Sequence, residues 1–255
     1  DDNFEQALID LGYDDVLDDT VMTVNISGVT ELDVGDKEIS DLTGIEDFVS
    51  LTHLFCGGNQ LTSLDVTNNL ALTLLVCNDN QLAVLDVSSN SNLSYLNVDN
   101  NQLAALDVSD NLALTSLFCN SNQLTSLDVT NNTSLNVLYC YSNQLTTLDV
   151  TNNLALWYFQ CAFNQLTSLD ISNNLDLIEL DCYVNSLTSL DVSSNSNLLY
   201  LNVDDNQLAA LDVSNNTALE YLNCSFNELT SLNLINNTEL LYLSCNYNDL
   251  SSLNL

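Results

Sequence analysis

From Leu51 onward, apolar and polar positions follow one pattern of 21 residues, LTHLFCGGNQLTSLDVTNNLA and then LTLLVCNDNQLAVLDVSSNSN, through ten units of which the last is incomplete. Each unit has two similar halves, LxxLxCxxNQ and LxxLDVxxNxx. In both, the alternation of LxC or LDV has the period of an extended segment, which turns Leu, Cys and Val inward and the residues between them outward. A fixed Asn then marks a turn. The pattern predicts a parallel strand at each LxC and a weaker one at each LDV. No unit of this size buries its own apolar face, so stability must come from stacking on neighbours. At the usual strand spacing of about 4.8 Å, the units predict a right-handed solenoid on the order of 50 Å long.

Upstream, LDVGDKEISDLTGIEDFVSLTHL carries Leu32 to Leu54 in a 22-residue unit, so the array starts before the regular register. The first 28 residues do not repeat. Asn3, Phe4, Ala7, Leu8 and Leu11 fit a helix near residues 3 to 11, with Asp2 or Asn3 as N-cap and Gly12 as its stop. The expected organisation is an N-terminal cap, 1–28, and a repeat array, 29–255. At the other end no polar capping element follows the last Cys, so either the native protein continues or that end meets a partner. A higher-order copy is also present: residues 85–109 reappear at 190–214, with Ser94 replaced by Leu199 and Asn100 by Asp205.

The motif LxxLxCxxNxLxxLDVxxN resembles the nested 21-residue class of bacterial leucine-rich repeats, called IRREKO. The opening NFEQALIDLG and ISDLTGIEDF resemble the cap and internalin-like first repeat of secreted proteins from marine Bacteroidetes. The resemblance implies a leucine-rich-repeat solenoid of short parallel strands and turns with a short cap helix. It also implies an exported or surface-attached protein and no particular ligand.

Eight cysteines share one repeat position, Cys56, Cys77, Cys119, Cys140, Cys161, Cys182, Cys224 and Cys245, and two units have Val98 and Val203 there instead. In-register neighbours keep their Cβ atoms near 5 Å, beyond the roughly 3.5–4.5 Å of a disulfide. A single file of thiols does not surround zinc either. They are expected to be reduced, buried hydrophobes. Two Asn columns, Asn59 to Asn248 and Asn69 to Asn237, are expected to bond backbone groups of their own turn and of the next coil, because a carboxamide donates and accepts on a short stem.

Charge narrows the function. The chain has 35 acidic residues against one basic residue, Lys37, so its field repels nucleic acid and anionic lipid. With 46% of residues apolar and only 14% charged, it is not an acidic disordered tail. No apolar run is long enough for direct membrane insertion, and the opening DDNFEQ lacks the features of a signal peptide, so the chain reads as mature and soluble. With one histidine, His53, no arginine and no Gly-rich phosphate loop, the chain reads as no enzyme.

Binding must then use outward positions that escape the repeat consensus. Aromatics gather beside the LxC strands at Phe118, Tyr139, Tyr141, Tyr158 and Tyr183, with Trp157 at the sheet edge. Tyr and Trp are favoured interface anchors, and exposed aromatic clusters cost solubility unless used. The competing reading is that stacked Tyr columns only stabilise the sheet. Two function classes follow: an extracellular receptor or adhesin recognising a protein or a glycan through this strip, and a structural protein self-associating end to end into a fibre or sheath. The outward Asp of LDV forms a repulsive ladder, Asp65, Asp86, Asp107, Asp128, Asp149, Asp170, Asp191 and Asp212. Either flanking hydroxyls such as Ser63, Thr67, Ser126 and Thr130 and turn amides satisfy it, or Ca²⁺ bridges it.

Overall fold

A computed structural model describes residues 1–254. They fall into two compact units, Asp1–Leu124 and Thr125 onward. Each is a leucine-rich-repeat solenoid.

The first unit opens with helix α1, Asp2–Asp10, which starts one residue earlier than its sequence suggests because its N-cap is Asp1. One Asp1 carboxylate oxygen accepts the N–H groups of Asn3 and Phe4, both at 3.0 Å. The other accepts Ser40 N–H at 3.0 Å and its hydroxyl at 2.7 Å, so this residue both caps the helix and ties it to the array. Gly12, at φ 80°, ends the helix as its sequence implies, with Tyr13 N–H donating back to Leu8 C=O at 2.9 Å. The buried Glu5 accepts Asp18 and Asp19 N–H at 2.6 and 2.9 Å. A single-turn helix α2, Thr23–Ile26, which the sequence reading did not foresee, buries Ile26.

Strands β1 (Glu31–Asp33), β2 (His53–Phe55), β3 (Leu74–Val76), β4 (Tyr95–Asn97) and β5 (Ser116–Phe118) then pair in parallel. The β1–β2 register, Leu32 against Leu54, spans the 22-residue unit. In the second unit β6 (Val137–Tyr139), β7 (Tyr158–Gln160), β8 (Glu179–Asp181), β9 (Tyr200–Asn202) and β10 (Tyr221–Asn223) continue the same arrangement. Beyond β11 (Ser231–Asn233), strand β12 (Tyr242–Ser244) pairs with β10, and β13 (Ser252–Asn254) pairs with β11. Up to β10, the central Leu or Phe of each of these sheet strands is buried and its two neighbours face outward. The second half of each coil is barely a strand. It gives the β11–β13 pair and one isolated bridge, Asp65 to Asp86. The Asp of LDV accepts the N–H two residues ahead, at Asp65 and Asp86 of the bridge as elsewhere. At Asn233, in β11, the equivalent contact to Ile235 N–H is 3.3 Å.

The first Asn column reaches its own turn and the preceding coil, not the following one. Asn80 donates to Cys77 C=O at 3.2 Å and to Cys56 C=O of the coil before at 3.0 Å, and its Oδ1 accepts Leu61 N–H at 2.9 Å. The residue ahead of each ladder Asn is left-handed in every regular coil: Gly58, Asp79, Asn100 and Ser121 in the first unit, Ser142 through Tyr247 in the second. A Cβ at Gly58 would meet the carboxylate of the exposed Asp36, which would have to shift to admit it. Val184, at φ 49°, is a β-branched residue in a region that such residues avoid. The second column donates backward only, as Asn174 does to Val150 and Asn153 C=O at 3.0 and 2.8 Å.

All eight cysteines are free thiols. Seven are buried, and burial pushes Cys77 and Cys140 up to about 12. Cys245 departs from the expectation of uniform burial: it lies in the last coil and is partly exposed. A maleimide reagent should therefore label one thiol per chain under native conditions, Cys245, and the other seven only in denaturant. Native labelling of Cys140 or Cys161, read by mass spectrometry, would contradict this packing.

Candidate functional site

In the second unit, parallel register places side chains 21 residues apart side by side, so the outward face of the strands is a grid. Its first column runs Val137, Tyr158, Glu179, Tyr200, Tyr221 and Tyr242. The next runs Tyr139, Gln160, Asp181, Asn202, Asn223 and Ser244. Tyr200 and Tyr221 stack at 4.3 Å between centroids, and Tyr221 and Tyr242 at 4.5 Å, with ring planes within 9° of parallel. This stack belongs with the face as much as the strip expected from sequence, and the 21-residue recurrence of Tyr from 200 was its signal.

Of that strip, the structure brings Tyr139, Tyr141 and Tyr158 together with Glu179: desolvation first, then the Glu179 charge and the two other tyrosines, raise the Tyr139 phenol. Trp157 lies 5.8 Å from Tyr158 but opens to a different place. With Asn136, Ile178 and Leu199 it lines a shallow groove of about 600 Å³ at the edge preceding the strands. Tyr183 packs edge-on against Phe163 at 4.8 Å. Phe163, Phe226 and Tyr247 occupy the left-handed turn positions, and Phe226 stacks on Tyr247 at 4.2 Å. Sequence spacing alone does not single out these turn aromatics, because the turn position is otherwise filled by small or polar residues and by Val184. Phe118 belongs to the first unit, where it packs 5.2 Å from Tyr95.

Two carboxylates lie among these rings. Glu179 accepts the Gln160 amide at 2.6 Å. Asp181, half-buried on the same strand, has one oxygen buried without a hydrogen-bond partner. Burial raises it to about 7, with Glu179 adding repulsion and Tyr183 N–H and Asn202 offsetting only part. Asp204 is raised for the same first reason. In the first unit Asp99 is raised to about 6 by burial, against an Asn120 N–H at 2.7 Å that lowers it.

The Asp ladder behaves oppositely. Asp65, Asp128 and Asp149 each accept a backbone N–H and a hydroxyl from the Thr two residues on, at 2.9–3.0 Å and 2.6 Å. Those bonds hold the carboxyls below the ordinary Asp range. Ser88, Ser109, Ser172, Ser193 and Ser214 supply the N–H to Asp86, Asp107, Asp170, Asp191 and Asp212. Among the described residues no three His, Cys, Asp or Glu side chains converge as a metal site. No helix is long and apolar enough to cross a membrane.

No family model matches the chain. Over 69 residues, 27% of its length, it is 40% identical to Internalin J of Listeria monocytogenes, and that match spans 7% of the relative. The solved functional domain of InlJ from Listeria monocytogenes, described as including a cysteine ladder, superposes over 96% of the chain with a TM-score of 0.89 and 37% identity. The chain spans 59% of that domain. The fold is also that of internalin InlF from the same organism, with a TM-score of 0.77, 24% identity, and coverage of 99% of this chain and 87% of the other. The chain is thus a leucine-rich-repeat protein with internalin-like structural neighbours, and these indicate no enzyme family.

Proposed function

We propose that the chain is a secreted or cell-surface binding module whose protein ligand lies along the outward face of β7, β8, β9, β10 and β12. The half-exposed column Tyr158, Glu179, Tyr200, Tyr221 and Tyr242 carries this reading. Rigid aromatic rings bury much area for little entropy, and a parallel sheet holds them at fixed spacing whether or not ligand is present. The likeness to Listeria internalins supports a role at a surface.

The experiment is an array of surface proteins and glycans probed with wild type and with a Tyr158→Ser, Tyr200→Ser, Tyr221→Ser triple variant. Truncating anchors worth about 2 kcal/mol each should weaken binding by about a hundredfold or more, with unchanged far-ultraviolet dichroism. Full retention of every array signal would make the tyrosines sheet-stabilising only. Signals confined to glycans would replace the protein ligand by a sugar.

A further inference from the structure

On that reading of the face, we infer that the partner presents an arginine or lysine side chain to Glu179 and Asp181, seated between Tyr158 and Tyr200. Register puts Glu179 between these two tyrosines and Asp181 two residues along the same strand, facing the same side. The neighbours of the pair are neutral: Gln160 donates an amide to Glu179, and Asn202 and the Tyr183 backbone act on Asp181. The two carboxylates repel each other two residues apart on one strand, and a cation docked on their outward face relieves that repulsion.

The counter-ion comes from outside the chain, whose single Lys or Arg is Lys37 of the first unit. Calcium is a poor fit, since it takes about six to eight oxygen ligands and the pair offers two carboxylates. A guanidinium fits better, because its planar fork matches a carboxylate while its face stacks on a tyrosine ring. The overall charge of −34 steers such a segment toward the face.

The test titrates a fluorescent tetra-arginine peptide, with its neutral citrulline counterpart, by anisotropy. The Glu179→Gln, Asp181→Asn variant should bind tetra-arginine about tenfold more weakly than wild type. An Asp191→Asn, Asp212→Asn variant removes the same charge from the same unit and should change affinity by about twofold or less. The citrulline peptide should bind neither. Equal weakening in both variants would reduce the effect to diffuse charge and overturn the inference, as would unchanged binding in the first. The variants are near-isosteric, and dichroism verifies their fold. Array signals lost in the tyrosine triple variant but kept in the carboxylate variant overturn the cation inference alone. Signals kept in both remove the binding face as well.

Discussion

Replacing Asn164 by Ala should lower the unfolding free energy by about 2–3 kcal/mol. Its amide donates to Cys140, Cys161 and Ala162 C=O at 3.0, 3.1 and 3.2 Å, and its Oδ1 accepts Leu145 N–H at 3.0 Å. Alanine leaves Leu145 N–H unpaired, at about 1–3 kcal/mol, and strips one donor from each carbonyl, although Cys140 C=O keeps Asn143, Cys161 C=O keeps Asn185 and Ala162 C=O keeps Ser142 N–H. Asn164→Asp keeps the acceptor but loses the donors and brings a charge into a buried site, so at neutral pH it should be no better tolerated. Because repeat stability rests on nearest-neighbour interfaces, the broken coil should also reduce cooperativity in urea denaturation. Asp149→Ala, which removes only the exposed contacts to Thr151, should cost about 1 kcal/mol or less. A loss at Asn164 as small as this would contradict the structural role of the ladder.

Thermal stability should rise as pH falls from about 8 to about 5, contrary to the behaviour of a protein held by salt bridges. Asp181 at about 7 and Asp99 at about 6 are raised, chiefly by burial. Between the unfolded value of about 3.9 and those raised values, the folded state binds more protons than the unfolded state, so stability falls as pH rises. The ladder carboxylates are lowered and have the opposite sign, but they act only as pH falls below about 4. A maximum near about pH 4 results. Asp181→Asn isolates the effect: it should stabilise the protein at about pH 8 by about 1–2 kcal/mol after discounting for partial exposure, a gain of a few degrees in Tm, and do little at about pH 5. Melting curves of wild type and variant at both pH values check this. A constant difference between the two proteins would mean that Asp181 titrates normally.

The 21-residue recurrence of Leu and Cys was enough to read the strands, the inward columns and the free thiols, because alternation along an extended chain is a local property. Asp1, as the helix cap, was legible only in the fold, since its second carboxylate oxygen is claimed by Ser40, far along the chain. The direction of the Asn ladder was hidden for a related reason: spacing says that an amide recurs, and only the stacked coils show which neighbour it meets.

The site divides along the same line. Sequence alone determined that aromatics and carboxylates alternate on one outward face, since residues 21 apart must become neighbours in a stacked array. Tertiary structure decided which of them act together. It satisfied Asp65 and its ladder inside their own turns, and it left Asp181 half-buried beside Glu179 with no cationic side chain near it among the described residues. The two carboxylate sets have the same side chain at the same kind of repeat position. They differ in which N–H groups the turn aims at them and how much water the surrounding rings exclude, and neither quantity is written in the spacing.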